Sequence, residues 1–151
     1  MRYDSILFDL DGTLWDSTDA VAASWEEALA GVPDIEGPPT RAQLEGVMGM
    51  TAEDLMAKLY PHLSKERHME LFDRCCQVEN TYLREHGGVL YPQLEETLEA
   101  LSQKLPLFIV SNCNAEYIPC FLDAHQLHRY FQDWECIGRT GKQKWENIRL
   151  V

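Results

Sequence analysis

Apolar residues recur along this chain with two different periods. Ile6-Leu7-Phe8 is a short uninterrupted apolar run ended by Asp11-Gly12, the pattern of a buried strand running into a turn. From Asp16 the spacing becomes helical: Val21, Trp25, Ala28 and Leu29 fall at i, i+4, i+7 and i+8, with Ser17 placed to cap the start and Gly31 to end it. The stretch from Val32 to Thr40 holds Pro33, Pro38 and Pro39 and reads as a connection. Thr40-x-x-Gln43 then forms a capping box that opens a short helix bounded by Gly46 and Gly49. A further helix runs from Thr51 to about Tyr60 before Pro61, and a long one from Ser64 to about His86 before Gly87-Gly88. Residues from about 16 to 87 are therefore expected to be all helical.

Beyond Pro92 the two periods alternate. Leu94, Leu98 and Leu101 mark a helix, and Leu107-Phe108-Ile109-Val110 is a second apolar strand with Ser111-Asn112 at its end. Asn114 is placed to cap a helix carrying Tyr117, Ile118, Phe121 and Leu122, and Trp134 to Ile137 is a third strand before Gly138. Strands separated by helices pair in parallel through right-handed crossovers. The pattern predicts an α/β fold, a Rossmann-like doubly wound parallel sheet formed by residues 1–14 and 88–151. An all-helical insert, residues 15–87, interrupts it. The insert is expected over the carboxyl ends of the strands, where open parallel sheets bind ligands. Trp25, Phe72, Tyr82 and Trp134 fall on apolar faces and are expected in the core.

Charge narrows the partners. Twenty-five acidic against thirteen basic residues leave a net charge of −12, which repels nucleic acid and anionic membranes alike. The same charge repels a phosphate ester, so any phosphate site here needs local help from a cation, a lysine and backbone N–H groups. Five cysteines, an odd number without C-x-x-C spacing, read as reduced thiols. The start at Met1-Arg2-Tyr3-Asp4 shows no secretory leader, and no apolar stretch reaches membrane-spanning length, so a cytoplasmic location is expected.

The chemistry-bearing residues sit at strand ends. Asp9 and Asp11 are two residues apart, so both carboxylates face one cleft if the extended geometry persists. Such a pair can divide labour between nucleophilic attack with metal binding and proton transfer. Gly12 suits the sharp reversal that follows. Alone, Asp-Gly reads as a turn with Thr13 as a cap. The whole string, DLDGTLWDS over residues 9–17, resembles the first motif, D-x-D-G-T-L-x-D-S, of the haloacid dehalogenase-like superfamily. IVSN at residues 109–112 resembles its second motif, and GRTGKQKWENI at residues 138–148 the segment around its motif lysine.

The resemblance runs through the chain and includes a helical cap after the first strand, as in the phosphoglycolate phosphatase-like group. It implies a Mg²⁺-dependent phosphomonoester hydrolase acting on a small phosphorylated metabolite through an aspartyl-phosphate. Asp9 is then the nucleophile and a magnesium ligand. Asp11 is the general acid/base, which also offers its backbone carbonyl to the metal. Ser111 hydrogen-bonds the phosphoryl group, Asn112 shapes that loop, and Gly12 and Thr13 line the substrate site. Lys144 matches the motif lysine that neutralises the phosphate, with Lys142 its close competitor. The presence of Asp11 separates this chain from true dehalogenases, which lack the second aspartate.

The chain also departs from the family pattern. Relatives continue past the lysine into a strand ending in one or two further aspartates, whereas this sequence ends at Val151. Weakened magnesium binding is expected, as is an unpaired edge beside the first strand that favours self-association. Gln93 and Trp145 stand where relatives commonly carry glycine and a small residue. Two other functions fit the same residues: an impaired relative acting as a phosphate-binding or interaction module, and a phosphomutase. His125 and His128 are three apart but lack a third ligand at zinc-like spacing, so they read as helix-end surface residues. Cys113, beside the phosphate loop, reads as packing rather than as a reactive thiol. The segment Gly46–Thr51 is either a loop closing over substrate or a helix end followed by a capped helix.

Overall fold

The computed structural model describes residues 3–151, so the reading of Met1 and Arg2 lies outside the described residues. In chain order the elements are β1 (Ile6–Phe8), β2 (Trp15–Asp16), α1 (Thr18–Leu29), α2 (Arg41–Glu45), α3 (Ala52–Leu59), α4 (Lys65–His86), β3 (Val89–Leu90) and α5 (Leu94–Ser102). They continue with β4 (Leu107–Ser111), α6 (Tyr117–His125), a 3-10 turn (His128–Tyr130), β5 (Phe131–Cys136), α7 (Ile137–Thr140) and α8 (Lys144–Leu150). The fold is α/β. Strands β1, β4 and β5 form a parallel sheet in the order β1-β4-β5, with Phe8 beside Ile109 and Ser111 beside Cys136. Parallel strands in this register bring their carboxyl ends to one edge.

Local sequence signals account for most helix starts. Thr40 and Gln43 exchange the two hydrogen bonds of a capping box at α2, and the hydroxyls of Thr51 and Ser64 accept from Asp54 N and Arg67 N at α3 and α4. Helix α4 has 22 residues and a length of roughly 33 Å. It packs against α1 on one side and α6 on the other, which joins the helices between β1 and β3 to the sheet. The short antiparallel pair β2–β3, with Trp15 beside Leu90 and Asp16 beside Val89, ties together the two points where the chain enters and leaves those helices. Trp15 is fully buried and meets Tyr117, Phe121 and His125 edge-on, at ring distances of 5.6, 5.0 and 5.8 Å.

Several expectations change. The segment 15–87 is not all helical, because Trp15 and Asp16 form β2 against β3. β1 is not a buried strand: among the described residues it pairs with β4 alone, at the sheet edge, and Leu7 is 38% exposed. Ser17 precedes α1 but makes no cap. Asp16 accepts from Thr18 N instead, at 3.0 Å, because the Ser17 hydroxyl is engaged elsewhere. Asn114 does not cap α6 directly. Its side chain accepts from Glu116 N at 3.0 Å, which turns the chain before the helix begins at Tyr117. β5 starts three residues earlier than Trp134, at Phe131, and Ile137 opens α7 rather than closing the strand. Trp25 is buried as expected, while Phe72, Tyr82 and Trp134 are half-buried. No helix among the described residues is long and apolar enough to cross a membrane.

Candidate active site

Asp9 follows the last residue of β1. One carboxylate oxygen, Oδ1, accepts from Leu10 N at 2.9 Å, and the other, Oδ2, pairs with Lys144 Nζ at 2.8 Å. Lys144 is the first residue of α8, where the helix dipole disfavours a cation, so the partner carboxylate matters to its placement. The start of α8 is fixed from below. Asn147 is fully buried, accepts from the Thr140 hydroxyl at 2.7 Å and donates to Lys142 O at 3.2 Å. Lys142 thus serves this junction through its main chain while its side chain is exposed. Of the two lysines, Lys144 reaches Asp9.

Asp11 lies in the turn that reverses the chain after β1. Gly12 has φ +72°, in the left-handed region, and its N–H donates to Trp15 O at 3.0 Å. Thr13 is exposed and donates through its N–H to Leu10 O. The turn folds back so that three side chains surround one oxygen of Asp11. Trp15 Nε1 and Ser17 Oγ each donate to Oδ1 at 2.9 Å, and the Tyr117 hydroxyl lies 3.0 Å from the same oxygen and 2.8 Å from Ser17 Oγ. Burial pushes the Asp11 carboxyl above the usual carboxylate range; the bonds from Ser17, Tyr117 and Trp15 oppose it, and the nearby Asp9 charge adds to it. Ser17 is therefore an Asp11 ligand, a role that sequence reading mistook for a cap.

Ser111 closes β4 and is 4% exposed. The next residue bridges to the helices: Asn112 Nδ2 donates to Gly49 O at 3.0 Å. Thr51 also caps α3, so the Gly46–Thr51 segment is both a capped helix start and a wall of the site. The loop after Ser111 fits closely against the end of β5. Gly138 N donates to Cys113 O at 3.1 Å, and a Cβ on Gly138 would lie 2.4 Å from Ala115 N, so only glycine permits this approach. Cys113 faces Cys136. Burial holds the Cys113 thiol well above its ordinary value, and its hydrogen bond brings Cys136 down to about 7, helped by the Arg139 and Gly138 N–H groups. His125 and His128 do not converge: the first stacks on Trp15, and the second pairs with Asp123 at 2.7 Å.

Between the strand ends and the helices lies a cavity of about 70 Å³ bordered by Asp11 and Ser111. Its unexpected member is Glu79 of α4, 5% exposed, which accepts from Trp25 Nε1 at 2.6 Å and, more loosely, from Asn114 Nδ2 at 3.5 Å. Burial drives its carboxyl up to about 8, opposed by the Trp25 bond and reinforced by the Asp11 charge. A sequence signal for it exists: Glu79 occupies the buried stripe of α4 that also contains Leu71, Cys75 and Leu83.

Among the described residues no three His, Cys, Asp or Glu side chains converge into a metal cage. Asp9 and Asp11 supply two carboxylates at the strand ends, with Asp9 close enough to raise the proton affinity of Asp11. That set is foreign to zinc but fits Mg²⁺, which binds through one or two carboxylates and retains waters or substrate oxygens.

Comparison with known proteins identifies the family. Residues 6–147 match the family model described as haloacid dehalogenase-like hydrolase. A phosphoglycolate phosphatase of Vibrio vulnificus (strain YJ016) is 35% identical over 141 residues, covering 85% of this chain and 58% of that protein. One of Aquifex aeolicus (strain VF5) is 34% identical over 127 residues, covering 83% and 57%. A haloacid dehalogenase-like hydrolase from Streptococcus pneumoniae superposes with a TM-score of 0.78 at 25% identity, covering 97% of this chain and 67% of that one. A hydrolase from Pseudomonas syringae does so with 0.70 at 25%, covering 89% and 61%. The chain belongs to the haloacid dehalogenase-like hydrolase family. It spans a little over half the length of the curated relatives it matches.

Proposed function

We propose that the protein hydrolyses the phosphate monoester of a small metabolite through an aspartyl-phosphate on Asp9. The observation that carries this reading is the 2.8 Å pairing of Lys144 with Asp9, which gives a carboxylate its counter-cation two residues before Asp11, whose side chain borders the cavity together with Ser111. Asp9 attacks phosphorus, and the bond from phosphorus to the ester oxygen breaks. Asp11 gives its proton to that oxygen, which leaves as an alcohol. Because Oδ1 of Asp11 already receives its donors, the transferable proton resides on Oδ2. Asp11, now ionised, takes a proton from water. The water oxygen attacks phosphorus, the bond to Asp9 breaks, and inorganic phosphate and the free carboxylate are restored.

Ser111 Oγ and the N–H groups of the following loop hold the phosphoryl oxygens, with Asn112, Gly12 and Thr13 around them, while Lys144 offsets the charge on phosphate and Asp9. Magnesium held by Asp9 and the Asp11 main-chain carbonyl would supply further neutralisation of that charge when bound. The open edge of β1 is inferred to favour self-association, which light scattering coupled to size exclusion tests: Leu7→Lys shifts the chain towards monomer.

The test is hydrolysis of an aryl phosphate by the 151-residue chain with Mg²⁺ and with chelator. Turnover that needs Mg²⁺ and falls by roughly three orders of magnitude or more in Asp9→Asn supports the proposal. Wild-type turnover no higher than that of Asp9→Asn overturns it, and leaves a phosphate-binding module as the reading.

A further inference from the structure

The cavity that receives the leaving group has a composition that its relatives' names do not suggest. Away from the strand ends its wall is apolar, formed mainly by Val21, Trp25, Leu44, Val47, Leu55 and Phe72. The polar side chains that reach it beyond Asp11 and the phosphate loop are Glu79, Asn114 and Tyr117, and the Tyr117 hydroxyl is already engaged by Asp11 and Ser17. No lysine, arginine or histidine is among the described residues that line it. Its volume of about 70 Å³ is that of a few waters and suits a small leaving group.

We propose that this cavity selects a phosphate monoester whose leaving group is small, uncharged and hydroxyl-bearing, and that Glu79 is the specificity-determining residue that reads the hydroxyl. The inference rests on the phosphatase reading above and narrows it. A carboxylate on the leaving group would enter an apolar enclosure that already contains two acidic side chains and no lining cation, where desolvation is not repaid by pairing. An uncharged hydroxyl escapes that penalty and needs one donor and one acceptor.

Glu79 offers both. Its Oε2 is held at 2.6 Å by Trp25, while its Oε1 has only the 3.5 Å bond from Asn114 and retains capacity for a ligand. Burial keeps the proton on this carboxyl at neutral pH, so it donates as well as accepts without adding a charge to the cavity. A site that hydrogen-bonds a substrate hydroxyl rejects an analogue that leaves its buried polar groups unpaired.

Three esters on one two-carbon skeleton separate the possibilities: 2-hydroxyethyl phosphate, phosphoglycolate and 2-aminoethyl phosphate. Dissociation constants are measured by calorimetry with Mg²⁺ on the Asp9→Asn chain, which holds ester without consuming it, while wild-type turnover of aryl phosphate is followed separately. The expected result is at least tenfold tighter binding of 2-hydroxyethyl phosphate than of either analogue. Phosphoglycolate or 2-aminoethyl phosphate binding as tightly, or none of the three binding, overturns the inference. Loss of aryl phosphate turnover instead marks failure of the phosphatase reading.

In the Asp9→Asn background, Glu79→Gln keeps the preference, because an amide both donates and accepts, whereas Glu79→Leu reduces the ratio of the two constants to near one. A purely structural role for Glu79 would weaken the esters alike and leave that ratio unchanged. Should Glu79→Leu fail to fold, a Glu79→Gln chain without the preference refutes the assignment equally well.

Discussion

The two walls of the cavity are built on opposite principles. On the sheet side, Asp11 and Ser111, distant in sequence, border the cavity because parallel strands end at one edge, and a short helix returns Lys144 to the neighbouring Asp9. On the helical side, the wall is a packed apolar surface with one buried carboxyl set into it. The sheet side places charge by backbone geometry, and the helical side shapes space by side-chain volume. On the proposed reading chemistry and selectivity fall to different elements, so damage to each should have a different signature.

Lys144→Met tests the sheet side most severely. It should lower kcat/KM for an aryl phosphate by roughly two to three orders of magnitude. The melting temperature should barely change, because Asn147 rather than Lys144 anchors α8. A large fall in thermal stability would show that the two sides are not separable in this way.

The helical side predicts an effect on stability instead. The folded chain keeps the Glu79 proton up to about pH 8, whereas the unfolded chain releases it in the ordinary carboxylate range. The folded state therefore binds more protons between those limits, and stability is full below the lower one and declines as pH rises towards 8. Asp11 on the β1 turn, the thiols of Cys75 and Cys76 on α4, and Tyr117 and Cys120 on α6 are the other titratable groups near Glu79. Urea midpoints should fall by an amount equivalent to a few kcal/mol across that range. Glu79→Gln should flatten the dependence, and an unchanged slope in that variant would assign it to other groups.

Gly138→Ala probes the seam between β5 and the phosphate loop. Its methyl group would meet the Asn114–Ala115 backbone, which cannot swing away as a side chain would. A loss of about 1–3 kcal/mol in chemical denaturation is expected, together with reduced activity. Retained activity with lost stability would show that the loop shifts without disturbing Ser111. The smallest effect is expected at Gln93, which precedes α5 with φ 62°. Gln93→Gly should raise stability by up to about 1 kcal/mol, or ~2–4 °C in melting temperature, and leave catalysis alone.

Much of this was legible in the sequence, and the exceptions have physical reasons. The apolar runs located β1 and β4, and the capping boxes and prolines bounded the helices, because these features act over a few neighbouring residues. The clustering of Asp9, Asp11 and Ser111 followed from parallel pairing. The exposure of Leu7 did not follow from the apolar run, which is the same whether its strand lies inside a sheet or at its edge, although the family resemblance implied an unpaired edge beside β1. Ser17 misled because a serine before a helix suits a cap, and only the fold reveals a carboxylate within reach. Glu79 was readable as an acid on an apolar stripe, yet its partner Trp25 lies 54 residues away, a contact that local pattern does not encode. Gln93 was visible in the sequence only as a departure from a commonly glycine position, and the structure adds that its backbone is left-handed.

The pairing of β2 with β3 has a consequence for how such a molecule can change. Because Asp16 and Val89 are ladder partners, the seventy-odd residues between them begin and end at one place, and the sheet experiences them as a loop of almost no span. A recombination event at these two positions would exchange the entire roof of the cavity without altering the register of any strand beneath it.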